Sequence, residues 1–206
     1  MKLILLGKPL SGKGTQATSL AKHFHIPLVS LGDILRAEIA KKSVKGKKIA
    51  SSMHAGKLVP ESIILSLLRE YFSRKSFLLD GFPRRISQAK ILDSFQKIDL
   101  VIDISCPDTL ILQRLHARKI CSGCGSIYGI TMPPKRKDIC DRCKGILVQR
   151  EDDTPAILHT RLQVYKKEAK KLIAYYKKKG IYFAVDGKLP AQEVCKRIIQ
   201  RIETIK

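Results

Sequence analysis

The chain has 206 residues, 44% apolar and 6% aromatic, a balance that excludes disordered, fibrous and membrane-embedded classes and fits one α/β domain carrying an insertion. Forty basic residues against eighteen acidic ones give a net charge of +22, which attracts polyanions of any kind, nucleotides and nucleic acid alike. No apolar run approaches the ~18 residues a spanning helix needs. The first apolar run stops at Gly7, too soon for a secretory signal, so a cytoplasmic protein is expected.

The first predicted strand, residues 3–6, leads into Gly7-Lys8-Pro9-Leu10-Ser11-Gly12-Lys13-Gly14-Thr15 and then a helix over residues 13–24. A strand turning tightly into a helix aims consecutive backbone N–H groups inward, and together with the positive helix end they hold phosphate oxygens. Lys13 would lie along the β and γ phosphates. The general pattern places Ser or Thr directly after the lysine; here Gly14 intervenes and the hydroxyl comes from Thr15. The loop by itself implies a nucleotide, not a reaction.

A second strand is expected at 27–30. Residues 30–59 then read as helical and basic without a strand, as an inserted arm would. A helix over 61–72, a strand at 77–80 ending on Asp80, a helix over 87–96 started by Ser87, a strand at 100–105 and a helix over 108–118 follow. On that last helix Arg114 and Arg118 stand four apart and would share one face. Residues 117–153 break every period with their glycines, prolines and cysteines and read as a small separate lobe. Helix 154–179 ends at Gly180, and strand 182–186 precedes a helix over 191–205 started by Pro190. The βα alternation implies a three-layer domain spanning residues 1–206, with a five-stranded parallel sheet and ligands beyond the carboxyl ends of the strands.

Within the lobe, Cys121-Ser122-Gly123-Cys124 and Cys140-Asp141-Arg142-Cys143 are separated by fifteen residues, the spacing of two zinc knuckles. Four thiolates would close the coordination of a structural Zn2+ and leave no place for water. A disulfide pair is the alternative, disfavoured in a reducing compartment. Cys106 and Cys195 stand alone and read as small buried residues. A zinc ribbon in so basic a chain also suits a nucleic-acid-binding protein, which remains a competing class.

The variant Gly12-Lys13-Gly14-Thr15-Gln16 resembles the loop of nucleoside monophosphate kinases, and of adenylate kinases especially. Further segments agree in the family's order: Ser30-Leu31-Gly32-Asp33-Ile34-Leu35-Arg36, Ala55-Gly56-Lys57-Leu58-Val59, Leu79-Asp80-Gly81-Phe82-Pro83-Arg84 with Gln88, and Gln149-Arg150-Glu151-Asp152-Asp153. The resemblance spans nearly the whole chain. It implies a P-loop phosphotransferase that reversibly converts ATP and AMP into two ADP, acting as a monomer with Mg2+ bound alongside ATP.

Its site residues follow residue by residue. ATP would meet Leu10, Ser11, Gly12, Lys13, Gly14 and Thr15 of the loop, then Arg114 and Arg118, with Ile127, Tyr128 and the backbone of Leu189 against its base or ribose. AMP would meet Leu31 and Arg36, then Lys57, Leu58 and Val59, then Gly81, Phe82, Pro83, Arg84 and Gln88, with Arg150 and Arg161 closing from the far side. Lys13, Arg84, Arg118, Arg150 and Arg161 would carry catalysis, and Asp80 would orient magnesium through water. Arginine suits the task, since its planar fork binds phosphate oxygens in pairs. Gln88 would read adenine through one donor and one acceptor. UMP/CMP-type or broad-specificity kinases are the nearest alternative, because Leu31 stands where most adenylate kinases carry threonine and Leu10 where glycine is usual.

Overall fold

The computed structural model describes residues 1–205. Its elements run β1 (Lys2–Gly7), α1 (Lys13–Phe24), β2 (Leu28–Ser30), α2 (Leu31–Ala40), α3 (Val44–His54), α4 (Glu61–Phe72), β3 (Phe77–Asp80) and α5 (Ile86–Phe95). They continue with β4 (Leu100–Ser105), α6 (Asp108–Ala117), β5 (Lys119–Cys121), β6 (Ile127–Tyr128), β7 (Leu147–Val148), α7 (Pro155–Lys178), β8 (Tyr182–Asp186) and α8 (Ala191–Glu203).

β1 shows why the apolar runs become central strands. Its side chains alternate between two faces. Ile4 and Leu6 join a cluster with Leu68 of α4, Leu92 of α5 and Leu172 of α7, whereas Leu3 and Leu5 join one with Leu20 of α1 and Ile198 of α8. A helical layer covers each face, so the positions from Leu3 to Leu6 are all buried and all apolar. The five strands pair in parallel in the order β2-β3-β1-β4-β8. The connections run to one side of β1 and then to the other, which opens a crevice beyond the ends of β1 and β3, where Gly7 and Asp80 lie.

Two segments project from this frame. Between β2 and α4, helices α2 and α3 pack so closely that a Cβ on Gly46 would lie 2.7 Å from the Glu38 carbonyl oxygen. Ser30 and Ser43 cap these helices, their hydroxyls accepting from the backbone N–H of Asp33 and Gly46. Between α6 and α7, β5, β6 and β7 form a three-stranded antiparallel sheet in the order β6-β5-β7. Strands of two or three residues carry no readable period, so sequence patterning left this sheet unseen.

Two local expectations are corrected. α5 begins at Ile86 and Ser87 does not cap it; the Ser87 hydroxyl instead donates to Glu61 Oε2 of α4 at 2.8 Å. α6 ends at Ala117, and Arg118 is extended with φ −71° and ψ 125°, so Arg114 and Arg118 do not share a helical face. Pro190 does precede α8, and Gly180, at φ +71°, follows the end of α7. Among the described residues no helix is long and apolar enough to cross a membrane.

Candidate active site

A cleft of about 720 Å³ opens at the carboxyl end of β1. The loop from Gly7 to Thr15 forms its floor. Gly7 has φ +140°, and a Cβ there would lie 2.7 Å from the Ile104 carbonyl oxygen; Gly12, at φ +101°, makes the turn into α1. Both positions therefore exclude other residues on conformational grounds. The Ser11 hydroxyl is buried and has no hydrogen-bond partner within the protein, so it is a donor that a phosphate oxygen could satisfy.

Arg114 of α6 holds this loop from below. Its guanidinium donates to the carbonyls of Ser11 at 2.9 Å and Gly187 at 2.8 Å, and to Leu10 at 3.4 Å. Its fork thus ties the phosphate loop to the turn after β8, while Arg114 also lines the cleft. Gly14 also has a reason to be glycine. A Cβ there would stand 3.0 Å from Cδ1 of Ile127, which β6 brings down onto the start of α1.

Lys13 Nζ donates to the carbonyls of Gly7 at 2.8 Å and Lys8 at 2.6 Å. Burial lowers its pKa to about 8, with Asp80 opposing the shift and Arg84 adding to it. Asp80 moves the other way: burial raises its pKa while Lys13 and Arg84 pull it down. Lysine and carboxylate thus face each other across the floor of the cleft.

Five arginines from separate parts of the chain line the walls: Arg36, Arg84, Arg118, Arg150 and Arg161. Three are held by carboxylates. Arg36 pairs with Asp33 at 2.5 Å, Arg161 with Asp152, and Arg118 with both oxygens of Asp153, whose side chain is 2% exposed. Arg84 donates from Nε to the Gly81 carbonyl at 2.9 Å. Arg150 keeps a buried Nε without a partner, and burial, then Arg36 and Arg118, bring its pKa down to about 10. Burial alone would raise Asp33 and Asp152, but their arginine partners hold both below the usual carboxylate range. Sequence reasoning gave these carboxylates no role. A signal was available for one of them, since Arg118 and Asp153 bracket the 117–153 lobe and a pair there closes its base.

In that lobe the Sγ atoms of Cys121, Cys124, Cys140 and Cys143 all lie within 4.8 Å of one another. Cys121 and Cys143 are 3.3 Å apart, Cys124 and Cys140 3.6 Å, and all four are free thiols, so the disulfide alternative is set aside. Tetrahedral zinc with Zn–S of ~2.3 Å needs sulfurs about 3.8 Å apart, so the donor set fits. The two knuckles match locally: Gly125 N–H donates to the Cys121 carbonyl at 3.0 Å and Lys144 N–H to the Cys140 carbonyl at 2.9 Å.

Residues 5–181 match the family model of adenylate kinase. The chain belongs to the adenylate kinases. An adenylate kinase from Caldicellulosiruptor bescii is 42% identical, covering 98% of this chain and 99% of its own length. One from Archaeoglobus fulgidus is 41% identical over all of both chains, and one from Kosmotoga olearia 36% identical, likewise over all of both. Membership in this family moves the nucleic-acid reading of the zinc ribbon aside.

Against the adenylate kinase pattern, every residue expected at the two nucleotide sites lines the cleft except Phe82 and Gln88. Phe82 is fully buried and stacks near Phe72 in the core, so its side chain shapes the wall from behind. Gln88 is 1% exposed and its Oε1 accepts from the Arg84 N–H at 2.7 Å. In the structure this acceptor fixes the turn that carries Arg84. Tyr128 borders the cleft, but its hydroxyl reaches Cys140 Sγ at 3.4 Å and accepts from the Asp141 N–H at 2.7 Å, tying the ring into the cysteine cluster. Cys106 is buried, and Cys195 is half-buried on α8.

Proposed function

We propose that this chain catalyses reversible transfer of the terminal phosphoryl group of ATP to AMP, with the donor on the phosphate loop under the 117–153 lobe and the acceptor beside the 30–59 arm. One observation carries the reading: Lys13 and five arginines from distant segments converge on one cleft at the end of β1. Bringing two nucleotides together concentrates negative charge, so positioning and charge neutralisation are the whole task. No nucleophile is needed. The acceptor phosphate attacks in line, with Lys13, Arg118, Arg150 and Arg161 spread around the migrating group and Arg84 and Arg36 holding the acceptor.

Leu31, Met53, Val59 and Ile64 give the acceptor side an apolar wall suited to a planar base. Asp80 would orient magnesium through water, and the metal would supply further neutralisation of the phosphates. Cys121, Cys124, Cys140 and Cys143 would hold a structural zinc that folds a lobe too small for its own core. The lobe then moves as a lid and keeps water from the phosphoryl group. We place the enzyme in the cytoplasm as a monomer.

Incubating the protein with ATP, magnesium and each nucleoside monophosphate in turn, then separating the products, tests the proposal. ADP from ATP plus AMP is expected, with UMP, CMP and GMP much slower. Equal rates with UMP would replace it by a broad-specificity kinase.

A further inference from the structure

The phosphate loop contains three residues with positive φ: Gly7, Leu10 and Gly12. Two are glycines. The third, Leu10, has φ +63°, where an L side chain's Cβ crowds the backbone and where glycine is favoured. A strained non-glycine residue persists when surrounding contacts over-determine it. At Leu10 those contacts are visible. Its side chain packs against the apolar cluster of Cys106, Ile111, Leu115, Leu158 and Leu162.

The place of that cluster in the fold gives the contact its meaning. Ile111 and Leu115 belong to α6, which leads into the 117–153 lobe, and Leu158 and Leu162 belong to α7, which leads out of it. The Arg118–Asp153 pair closes the same junction. The cluster is the footing of both stalks of the lobe. Leu10 is the loop side chain seated on it, and Arg114 of α6 holds the adjoining carbonyls of Leu10 and Ser11.

We propose that Leu10 is a positioning residue that locks the conformation of the phosphate loop to the footing of the lid, so that ATP affinity depends on this apolar anchor. The inference rests on the reading of the loop as the donor site. Binding of ATP requires the loop amides to point inward, and the anchor holds them there before the nucleotide arrives. The acceptor side has no connection to Leu10 and is unaffected.

Three variants separate the anchor from the strain. Leu10→Gly removes both, Leu10→Ala removes the anchor and keeps the strained φ, and Leu10→Met keeps an unbranched apolar anchor. ATP alone and AMP alone are titrated into each by calorimetry, and hydrogen exchange is followed over residues 108–117 and 155–162 without nucleotide. We expect Leu10→Gly and Leu10→Ala to bind ATP about fivefold more weakly, AMP unchanged within error, with faster exchange at both stalks and recovery in Leu10→Met. Wild-type ATP affinity and exchange in Leu10→Gly would overturn the proposal. So would equal loss of ATP and AMP binding, which marks general destabilisation. The exchange arm contains no nucleotide, so it reports on the anchor separately from the kinase reading.

Discussion

Lys13 offers a pH test whose sign and size come from its surroundings. Burial holds its pKa at about 8 in the free protein. If only the ammonium form binds the triphosphate, the competent share falls from about 91% at pH 7 to about 9% at pH 9, and KM for ATP rises about tenfold. Arg150, on the other side of the transfer, has its pKa lowered only to about 10. About nine-tenths of it remains charged at pH 9, so KM for AMP stays level over the same range. Bound phosphates raise the pKa of Lys13, and kcat at saturating ATP should therefore hold beyond pH 9. The assay is initial rates from pH 7 to 9 at fixed ionic strength, because screening would otherwise move both constants. Lys13→Arg, always charged, should bind ATP less well but with a flat profile. A wild-type KM for ATP that does not move, or one that moves in parallel with AMP, refutes the assignment. Stability carries the opposite sign: the unfolded chain keeps the proton up to about 10.5, so this group makes the fold more stable as pH rises from 8 to 10.5.

Asp153→Asn leaves the guanidinium of Arg118 without its buried partner, and should cost about 3 kcal/mol with a matching fall in Tm; an unchanged melt would show the pair to be dispensable. Gly14→Ala places a Cβ 3.0 Å from Ile127 Cδ1 and should raise KM for ATP by pushing the lobe outward. Adding Ile127→Ala should restore it, and failure of that rescue would deny the contact. Chelation should accelerate hydrogen exchange over residues 120–145 while the central sheet keeps its protection; a lobe that stays protected without metal would argue against structural zinc.

Much of this molecule was legible because its central strands are buried on both faces, which forces unbroken apolar runs such as Leu3, Ile4 and Leu5. The phosphate loop was legible for a similar reason: Gly7 and Gly12 adopt backbone angles that only glycine takes readily, so the conformation is written in residue type. Side-chain commitments were harder. Arg118 looked helical because spacing cannot show that α6 stops one residue earlier. Nor could spacing show that Gln88 Oε1 engages Arg84 or that the Tyr128 hydroxyl meets the cysteine knuckle. A sequence names the donors and acceptors; only the packed structure shows which remain free.

The acid–arginine pairs answer a problem the cleft creates for itself. Guanidiniums facing one cavity repel each other, and at Arg150 the charges of Arg36 and Arg118 add to the burial that lowers its pKa. Asp33, Asp152 and Asp153 each neutralise one arginine. Of the five wall arginines, Arg84 and Arg150 have no carboxylate partner, and Lys13 is bonded to loop carbonyls. Charge left without a carboxylate partner therefore faces the same cleft as the paired arginines, where the phosphates of two nucleotides would meet. The paired arginines have their forks already oriented, so little reorganisation remains when substrate arrives. Arg118→Lys or Arg161→Lys would keep the charge but lose that fixed orientation. Such a substitution should lower kcat more than it raises either KM, because what it removes is alignment in the transition state rather than attraction in the ground state.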